Sequence, residues 1–109
     1  MAAPLLPAAR VDAALAALPG WARVGDELRC SYRFATFVAA VRFTTRLADV
    51  AEELGHHPEW RVAYRRVDVA TTTHDSGGLT QLDVELARRT AALAGDAEVL
   101  GVDRGGAGS

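Results

Sequence analysis

The sequence predicts an α+β fold: a two-layer sandwich in the order α-β-β-α-β-β-α, with a four-stranded antiparallel sheet and helices on one face. Three observations predict it. Apolar residues recur with helical spacing in three stretches, they alternate with polar residues in two pairs of intervening stretches, and 109 residues suffice for one domain with its own core. Residues 10–95 are predicted to form that domain, with a flexible N-terminus at residues 1–9 and a flexible C-terminal tail at residues 96–109.

The first elements are predicted to be a short helix and a β-hairpin. In the helix, Val11, Leu15 and Leu18 have helical spacing, and Pro19-Gly20 ends it. Two strand-like stretches follow on either side of Gly25-Asp26. The second stretch alternates apolar with polar residues, which is typical of a half-buried strand.

The longest predicted element is an amphipathic helix from about residue 35 to Leu54, with Gly55 as its C-terminal cap. Its charged residues lie away from one apolar stripe, which is expected to face the sheet. That stripe consists of Phe34, Phe37, Val38, Val41, Leu47, Val50, Ala51 and Leu54.

A second pair of strands is predicted between Pro58 and His74. The alternation changes phase between Tyr64 and Val67, which indicates a tight hairpin or a bulge near Arg65-Arg66. A Gly-rich loop and a final amphipathic helix follow. One face of that helix carries Leu82, Leu86 and Leu93.

The composition predicts a cytoplasmic protein that binds neither nucleic acid nor membranes. A net charge of −2 and a pI near 5.9 argue against a concentrated basic face. No apolar run approaches the roughly 18 residues that a membrane span requires, and the N-terminal stretch lacks the basic region of a signal peptide. The single cysteine, Cys30, cannot form an internal disulfide and is expected to be buried.

Two of the three histidines are adjacent at the exit of the long helix. Glu52 and His56 are four residues apart, so their side chains are expected on one helix face, where a carboxylate favours a protonated imidazole. Pro58 disfavours the helical conformation for His57, so the two imidazoles should point in different directions. The pair is either a proton-transfer site or a solvent-exposed helix end that the helix dipole favours.

The other candidate residues each have two interpretations. His74 follows the last predicted strand on the parity opposite to the valines, so it is either a ligand-binding residue or an ordinary surface residue. Thr80 and Asp83 have the spacing of a capping box, which does not exclude a role for Asp83 in a site. For Trp60, packing in the core behind Pro58 is favoured over contact with a ligand.

A zinc site is the competing interpretation of three histidines with acidic neighbours. Adjacent histidines followed by proline do not match the usual spacing of zinc ligands. Neither a metal nor another cofactor is therefore expected.

Taken together, these residues resemble the signature of the pterin-4a-carbinolamine dehydratases over roughly residues 10–95. Two positions depart from the family's usual pattern: Val62-Ala63-Tyr64-Arg65 stands where Asn-Val-Tyr-Asn is common, and Gly55 replaces a frequent Asp or Asn. The matching residues are Glu52, His56-His57-Pro58-Glu59-Trp60, Tyr64, Val67, Val69, Thr73-His74, Gly78-Leu79-Thr80, Asp83 and Leu86-Ala87.

The resemblance implies dehydration of 4a-hydroxytetrahydropterin to quinonoid dihydropterin, which recycles the cofactor of aromatic amino-acid hydroxylases. Histidines that titrate near neutral pH suit this acid/base chemistry. We expect His56 and His74 to be the principal acid/base pair, His57 to position the substrate and Glu52 to orient His56. The implied catalytic residues are His56, His57 and His74, and the implied substrate-binding residues are Glu52, Asp83, Trp60 and Thr73.

The resemblance also implies partners. The expected ones are the pterin substrate, further copies of the chain in a homodimer or homotetramer, and the aromatic amino-acid hydroxylase pathway. The alternative function is a non-catalytic one, in which the protein is an oligomerisation or binding partner of another protein and its pterin site is vestigial. The intact set of three histidines and two carboxylates favours the enzyme.

Overall fold

A computed structural model describes residues 2–102 as three helices and five strands, which confirms the predicted α+β class. A one-turn 3-10 helix, His74–Ser76, lies between the fourth strand and the third helix. The elements are α1 Ala8–Leu15, β1 Ala22–Val24, β2 Glu27–Arg33, α2 Phe37–Leu54, β3 Glu59–Ala63, β4 Arg66–Thr71, α3 Gln81–Ala94 and β5 Glu98–Gly101.

The sheet is antiparallel and is organised around β2. One edge of β2 pairs with β4 from Leu28 to Arg33, and β4 in turn pairs with β3, which is an edge strand. The other edge of β2 is shared by β1, which pairs with its first residues, and β5, which pairs with Ser31–Arg33. The strand order is thus β1-β2-β4-β3, and β5 pairs with β2 on the same edge as β1.

Residues on both sides of the predicted domain 10–95 contact it. The sheet has five strands instead of four, because Glu98–Gly101 pairs with β2 within the stretch predicted as a flexible tail. Four residues, of which the last is a glycine, are too few to show the alternation of apolar and polar residues that is typical of a strand. The sequence therefore did not indicate this strand. At the N-terminus, the Leu6 N–H donates a hydrogen bond to the Leu79 carbonyl at 2.9 Å. Residues 103–109 of the predicted tail lie outside the described residues.

The buried face of α2 also differs from the predicted stripe. Phe37, Val38 and Val41 are 50%, 55% and 40% exposed, so the prediction is wrong for these three residues. The first half of the helix carries apolar residues on two sides, and only the side in phase with Leu47 packs on the sheet. The buried residues of α2 are Ala40, Phe43, Thr44, Leu47, Val50 and Ala51.

The hairpin between β3 and β4 explains the change of phase. Ala63 pairs with Arg66, so the turn consists of the two residues Tyr64 and Arg65. Tyr64 has a φ of 55°, in the left-handed region that such turns require. The hairpin is confirmed, one residue earlier than predicted.

Cys30 is buried in the core, as predicted, and burial raises the pKa of its thiol. Nearby, the Trp21 indole N–H donates to the Tyr32 hydroxyl at 2.8 Å, which satisfies both polar groups inside the core. None of the helices within residues 2–102 combines the length and the apolar character needed to cross a membrane.

Candidate active site

The candidate site begins where the chain leaves α2 through a glycine. Gly55 has a φ of 61°, in the left-handed region where residues with a Cβ are strained. Its N–H donates to the Glu52 carbonyl at 3.2 Å, and the His56 N–H donates to the Ala51 carbonyl at 3.0 Å. These two hydrogen bonds form a Schellman motif, which ends the helix and redirects the residues that follow.

His56 is buried, with 8% of its surface exposed. Its Nε2 atom lies 2.7 Å from Asp83 Oδ1 and 3.1 Å from Thr71 Oγ1. The Thr71 hydroxyl itself donates to Asp83 Oδ1 at 2.7 Å. The exit of α2, the end of β4 and the first turn of α3 therefore meet at one imidazole and one carboxylate.

Asp83 is fully buried and accepts hydrogen bonds from four groups. His56 and Thr71 contact Oδ1, while Oδ2 accepts the Thr73 hydroxyl at 2.7 Å and the Thr80 N–H at 2.9 Å. The last contact belongs to a capping box at the start of α3, so the predicted cap is confirmed. A buried carboxylate is stable only with such partners, and here both oxygens have them.

The Asp83 carboxylate determines which nitrogen of His56 carries hydrogen. An ionised carboxylate only accepts hydrogen bonds, so Nε2 is the donor toward Asp83. Within residues 2–102, Nδ1 makes no hydrogen bond, and it is not fully shielded from solvent. Nδ1 is therefore a lone-pair acceptor in the neutral ring and a proton donor in the charged ring, as general acid/base chemistry requires.

The predicted contact between Glu52 and His56 is wrong, because Glu52 pairs with His57 instead. The Glu52 carboxylate lies 2.5 Å from Nε2 of His57, and the two side chains are 76% and 65% exposed. The helical rule that places residues four apart on one face stops applying at Gly55, where the backbone leaves the helix. The two imidazoles do lie in different environments, as Pro58 led us to expect.

His74 lies on the 3-10 turn directly after β4. The turn is closed by an antiparallel bridge between Thr73 and Gly78. His74 is exposed, and its imidazole makes no hydrogen bond or ion pair with any of residues 2–102. Its predicted position, exposed just after the strand, is confirmed, and its role in ligand binding stays a prediction.

Thr73 and Trp60, the other predicted substrate-binding residues, have contrasting environments. Thr73 is 6% exposed and belongs to the hydrogen-bond network of Asp83. Trp60 lies on the edge strand β3 opposite the buried Val69 and is 36% exposed. It therefore stands on the helix-covered side of the sheet with part of its ring in solvent, and its role in substrate binding stays a prediction.

The described part of the chain contains no cluster of three His, Cys, Asp or Glu side chains suited to a metal ion. His56 with Asp83, and His57 with Glu52, each supply two ligand types. Zinc sites in proteins generally use at least three protein ligands.

Thr71 is the site residue that the sequence analysis missed. It lies on the buried face of β4, two residues before Thr73, and its hydroxyl contacts both His56 and Asp83. The sequence does indicate it: Thr71 and Thr73 alternate in phase with the buried valines of one predicted strand, and each buried hydroxyl needs a hydrogen-bond partner.

Comparison with known proteins shows the family of the chain. The sequence pattern of the pterin 4 alpha carbinolamine dehydratase family matches residues 4–93. A protein of Thermosynechococcus vestitus, provisionally named a pterin-4-alpha-carbinolamine dehydratase, is 47% identical over 79% of this chain and 90% of its own length. The chain belongs to the pterin-4-alpha-carbinolamine dehydratase family.

Two solved structures share the fold. A transcriptional coactivator/pterin dehydratase from Brucella melitensis superposes with a TM-score of 0.80 at 42% identity, over 84% of this chain and 99% of its own. A pterin dehydratase-like protein described as a RuBisCO assembly factor in the alpha-carboxysome has a TM-score of 0.60 at 26% identity, over 69% of this chain and 89% of its own.

Proposed function

We propose that this protein dehydrates a 4a-hydroxytetrahydropterin to quinonoid dihydropterin, in the recycling of a pterin cofactor. The observation that carries the proposal is the buried pair of His56 and Asp83, 2.7 Å apart, which leaves Nδ1 of the imidazole for proton transfer. Family membership supports the class of substrate, and this pair supports acid/base chemistry.

The reaction consists of two proton transfers and one bond cleavage. The C4a–O bond breaks as the leaving hydroxyl receives a proton, and N5 loses its proton as the C4a=N5 bond forms. Water and the dihydropterin are the products, so the balance requires no oxidant or reductant. Imidazoles perform both transfers near neutral pH.

Three histidines share these tasks in the proposed mechanism. His56 and His74 are the acid/base pair, and Asp83 holds the tautomer of His56 while it caps α3. His57, with its exposed partner Glu52, positions the pterin ring or its hydroxyl group. Thr73 and Trp60 contribute to the substrate-binding surface.

A non-catalytic role is the second candidate function, in which the protein is a binding partner of another protein and the pterin site is vestigial. The solved relative described as a RuBisCO assembly factor favours it, because the same fold is associated with assembly there. A purely binding role, however, gives no physical reason for a buried imidazole whose second nitrogen is left for proton transfer.

We further propose that the protein acts as a homodimer or homotetramer in the cytoplasm and serves the aromatic amino-acid hydroxylase pathway. Two features support self-association: the apolar side chains of Phe37, Val38 and Val41 are exposed on α2, and no strand within residues 2–102 pairs with the outer edge of β3. Light scattering after size-exclusion chromatography measures the number of subunits, and a monomer at all concentrations contradicts this part.

The decisive experiment measures the rate of carbinolamine dehydration for the wild type, His56→Ala and His74→Ala, each with and without a chelator. We expect the wild type to exceed the solvent rate and each variant to lose about 100-fold or more in kcat, because a positioned acid or base contributes that much. Arg89→Gln is the control, since Arg89 pairs with Glu53 on the surface between α3 and α2.

The outcomes separate the alternatives. If the wild type dehydrates the carbinolamine no faster than solvent does, the enzymatic function is contradicted and the non-catalytic binding role is the remaining candidate. Activity that disappears with the chelator supports the zinc interpretation instead. Circular dichroism of each variant establishes that a lost rate reflects a lost imidazole and not a lost fold.

A further inference from the structure

The turn that carries His74 is held from its inner side by the Asp83 network. The Thr73 hydroxyl donates to Asp83 Oδ2 at 2.7 Å. The backbones of Thr73 and Gly78 exchange two hydrogen bonds, of 3.1 and 3.3 Å, across the base of the turn. Within the turn, the Ser76 N–H donates to the Thr73 carbonyl and the Gly77 N–H to the His74 carbonyl, both at 3.0 Å, and Gly77 has a φ of 74°.

A second set of contacts to the turn comes from the N-terminal segment, residues 3–6. The Ser76 hydroxyl donates to the Ala3 carbonyl. The Leu6 N–H donates to the Leu79 carbonyl at 2.9 Å. The Leu5 side chain lies so close to Gly78 that a Cβ added there would be 3.1 Å from Leu5 Cδ2.

These contacts matter because His74 has no support of its own. Its imidazole is exposed and makes no hydrogen bond with any described residue, so its position depends on the backbone of the turn. Two consecutive glycines, Gly77 and Gly78, follow Ser76, and glycine restricts the backbone least. A proton transfer requires heavy atoms within about 2.6–3.2 Å, which an unrestrained turn attains only part of the time.

We propose that residues 3–6 are a positioning element for His74, which they hold in place through Ser76, Gly78 and Leu79. This inference rests on the proposed function. In this proposal the segment acts by restricting the turn and not by contacting the substrate. Ser76 is the main residue through which the segment acts, because the Ser76 hydroxyl makes the contact that is nearest to His74 along the chain.

Removing the hydroxyl in Ser76→Ala is expected to lower kcat about two- to tenfold, the effect of one hydrogen bond, with a smaller change in KM. Ser76→Thr keeps a hydroxyl and should restore most of the rate. Thr45→Val is the matched control, because it removes a hydroxyl that donates to the Val41 carbonyl on α2, far along the chain from the turn.

The test of mechanism is the same substitution in a His74→Ala background. If the segment acts through His74, Ser76→Ala causes no further loss once that imidazole is absent. An equal loss in both backgrounds, or an equal loss in Thr45→Val, overturns the proposal.

Amide hydrogen exchange of the full-length chain gives a readout that does not depend on activity. We expect exchange at the Thr73 and Gly78 N–H groups to be several-fold faster in Ser76→Ala, with no change at the β3–β4 hairpin. Faster exchange in a protein without dehydratase activity supports the restraint of the turn and contradicts the proposed function. Unchanged exchange overturns the positioning role whatever the activity.

Discussion

His56 and His57 are adjacent in the chain, and each pairs with a carboxylate through Nε2, but the two pairs have opposite surroundings. Asp83 is fully buried and has three further donors, whereas the side chains of Glu52 and His57 are 76% and 65% exposed. Both histidines follow the end of α2 at Gly55, and the chain passes from the interior to solvent between them. One residue of sequence therefore separates an imidazole inside a polar network from one in solvent.

The difference shows how burial changes what an imidazole–carboxylate contact contributes to stability. A surface ion pair competes with water and salt, so its net contribution is small. A buried carboxylate has no water to replace a lost partner, so its hydrogen bonds depend on each other. Contacts of similar length thus have very different effects on stability and on the orientation of the ring.

The largest expected effect follows from removal of the buried carboxylate. Asp83→Ala removes the acceptor of the hydrogen bonds from His56, the Thr71 and Thr73 hydroxyls and the Thr80 N–H, and we expect the free energy of unfolding to fall by about 3–5 kcal/mol. Urea denaturation followed by circular dichroism measures the loss. Glu52→Ala is the matched truncation in the exposed pair, and a loss of equal size there would show that burial does not distinguish the two sites.

The network around Asp83 also shows where prediction from the sequence ends. The cap of Thr80 by Asp83 and the end of α2 at Gly55 depend on residues close in the chain, and both were predicted correctly. The contact of His56 with Asp83 spans 27 residues and depends on how α2, β4 and α3 pack, which no local pattern indicates. The expected pairing of Glu52 with His56 failed because the helix ends between them.

The sheet illustrates the same limit. Strands β2 and β4 were predicted from their alternation, which is strong because one face of each is buried. Strand β5 was missed, since its burial pattern shows no alternation and its place in the sheet is provided by the free edge of β2. The fold class was thus predictable from periodicity. The fifth strand was not, because it is defined by its pairing with β2 in the folded sheet.

Asp68 lies on the open face of the sheet, and its exposure is between that of Asp83 and that of Glu52. We therefore expect its substitution to have an intermediate effect on stability. Burial raises the pKa of Asp68, but hydrogen bonds from Arg66 and Ser31 and the charges of Arg66 and Arg61 lower it below the ordinary 3.8. The ionised form is therefore favoured in the folded state. Its contribution is fully present above pH 3.8 and is lost as the pH falls through the lower, folded-state pKa.

Asp68→Asn should accordingly reduce the free energy of unfolding by up to about 1 kcal/mol at neutral pH, since the side chain is 30% exposed. The difference from the wild type should shrink as the pH drops below 3.8. Unfolding curves at several acidic pH values measure it, with Ser31→Ala as a control that removes one donor but no charge. A difference that grows in acid would contradict the direction of the shift.

The smallest effect is expected at the exposed pair. Glu52→Gln should change the free energy of unfolding by only about 0.2–0.5 kcal/mol in mildly acidic, low-salt buffer, and high salt should remove the change. Glu53→Gln is the matched control, because Glu53 is also exposed but pairs with Arg89, which keeps its charge at every accessible pH. The attraction between opposite charges in the pair of Glu52 with His57 exists only while the imidazole is charged. Raising the pH until imidazoles are neutral should therefore reduce the effect of Glu52→Gln and leave that of Glu53→Gln. If both effects persist in alkaline buffer, Glu52 acts on the helix end through something other than His57.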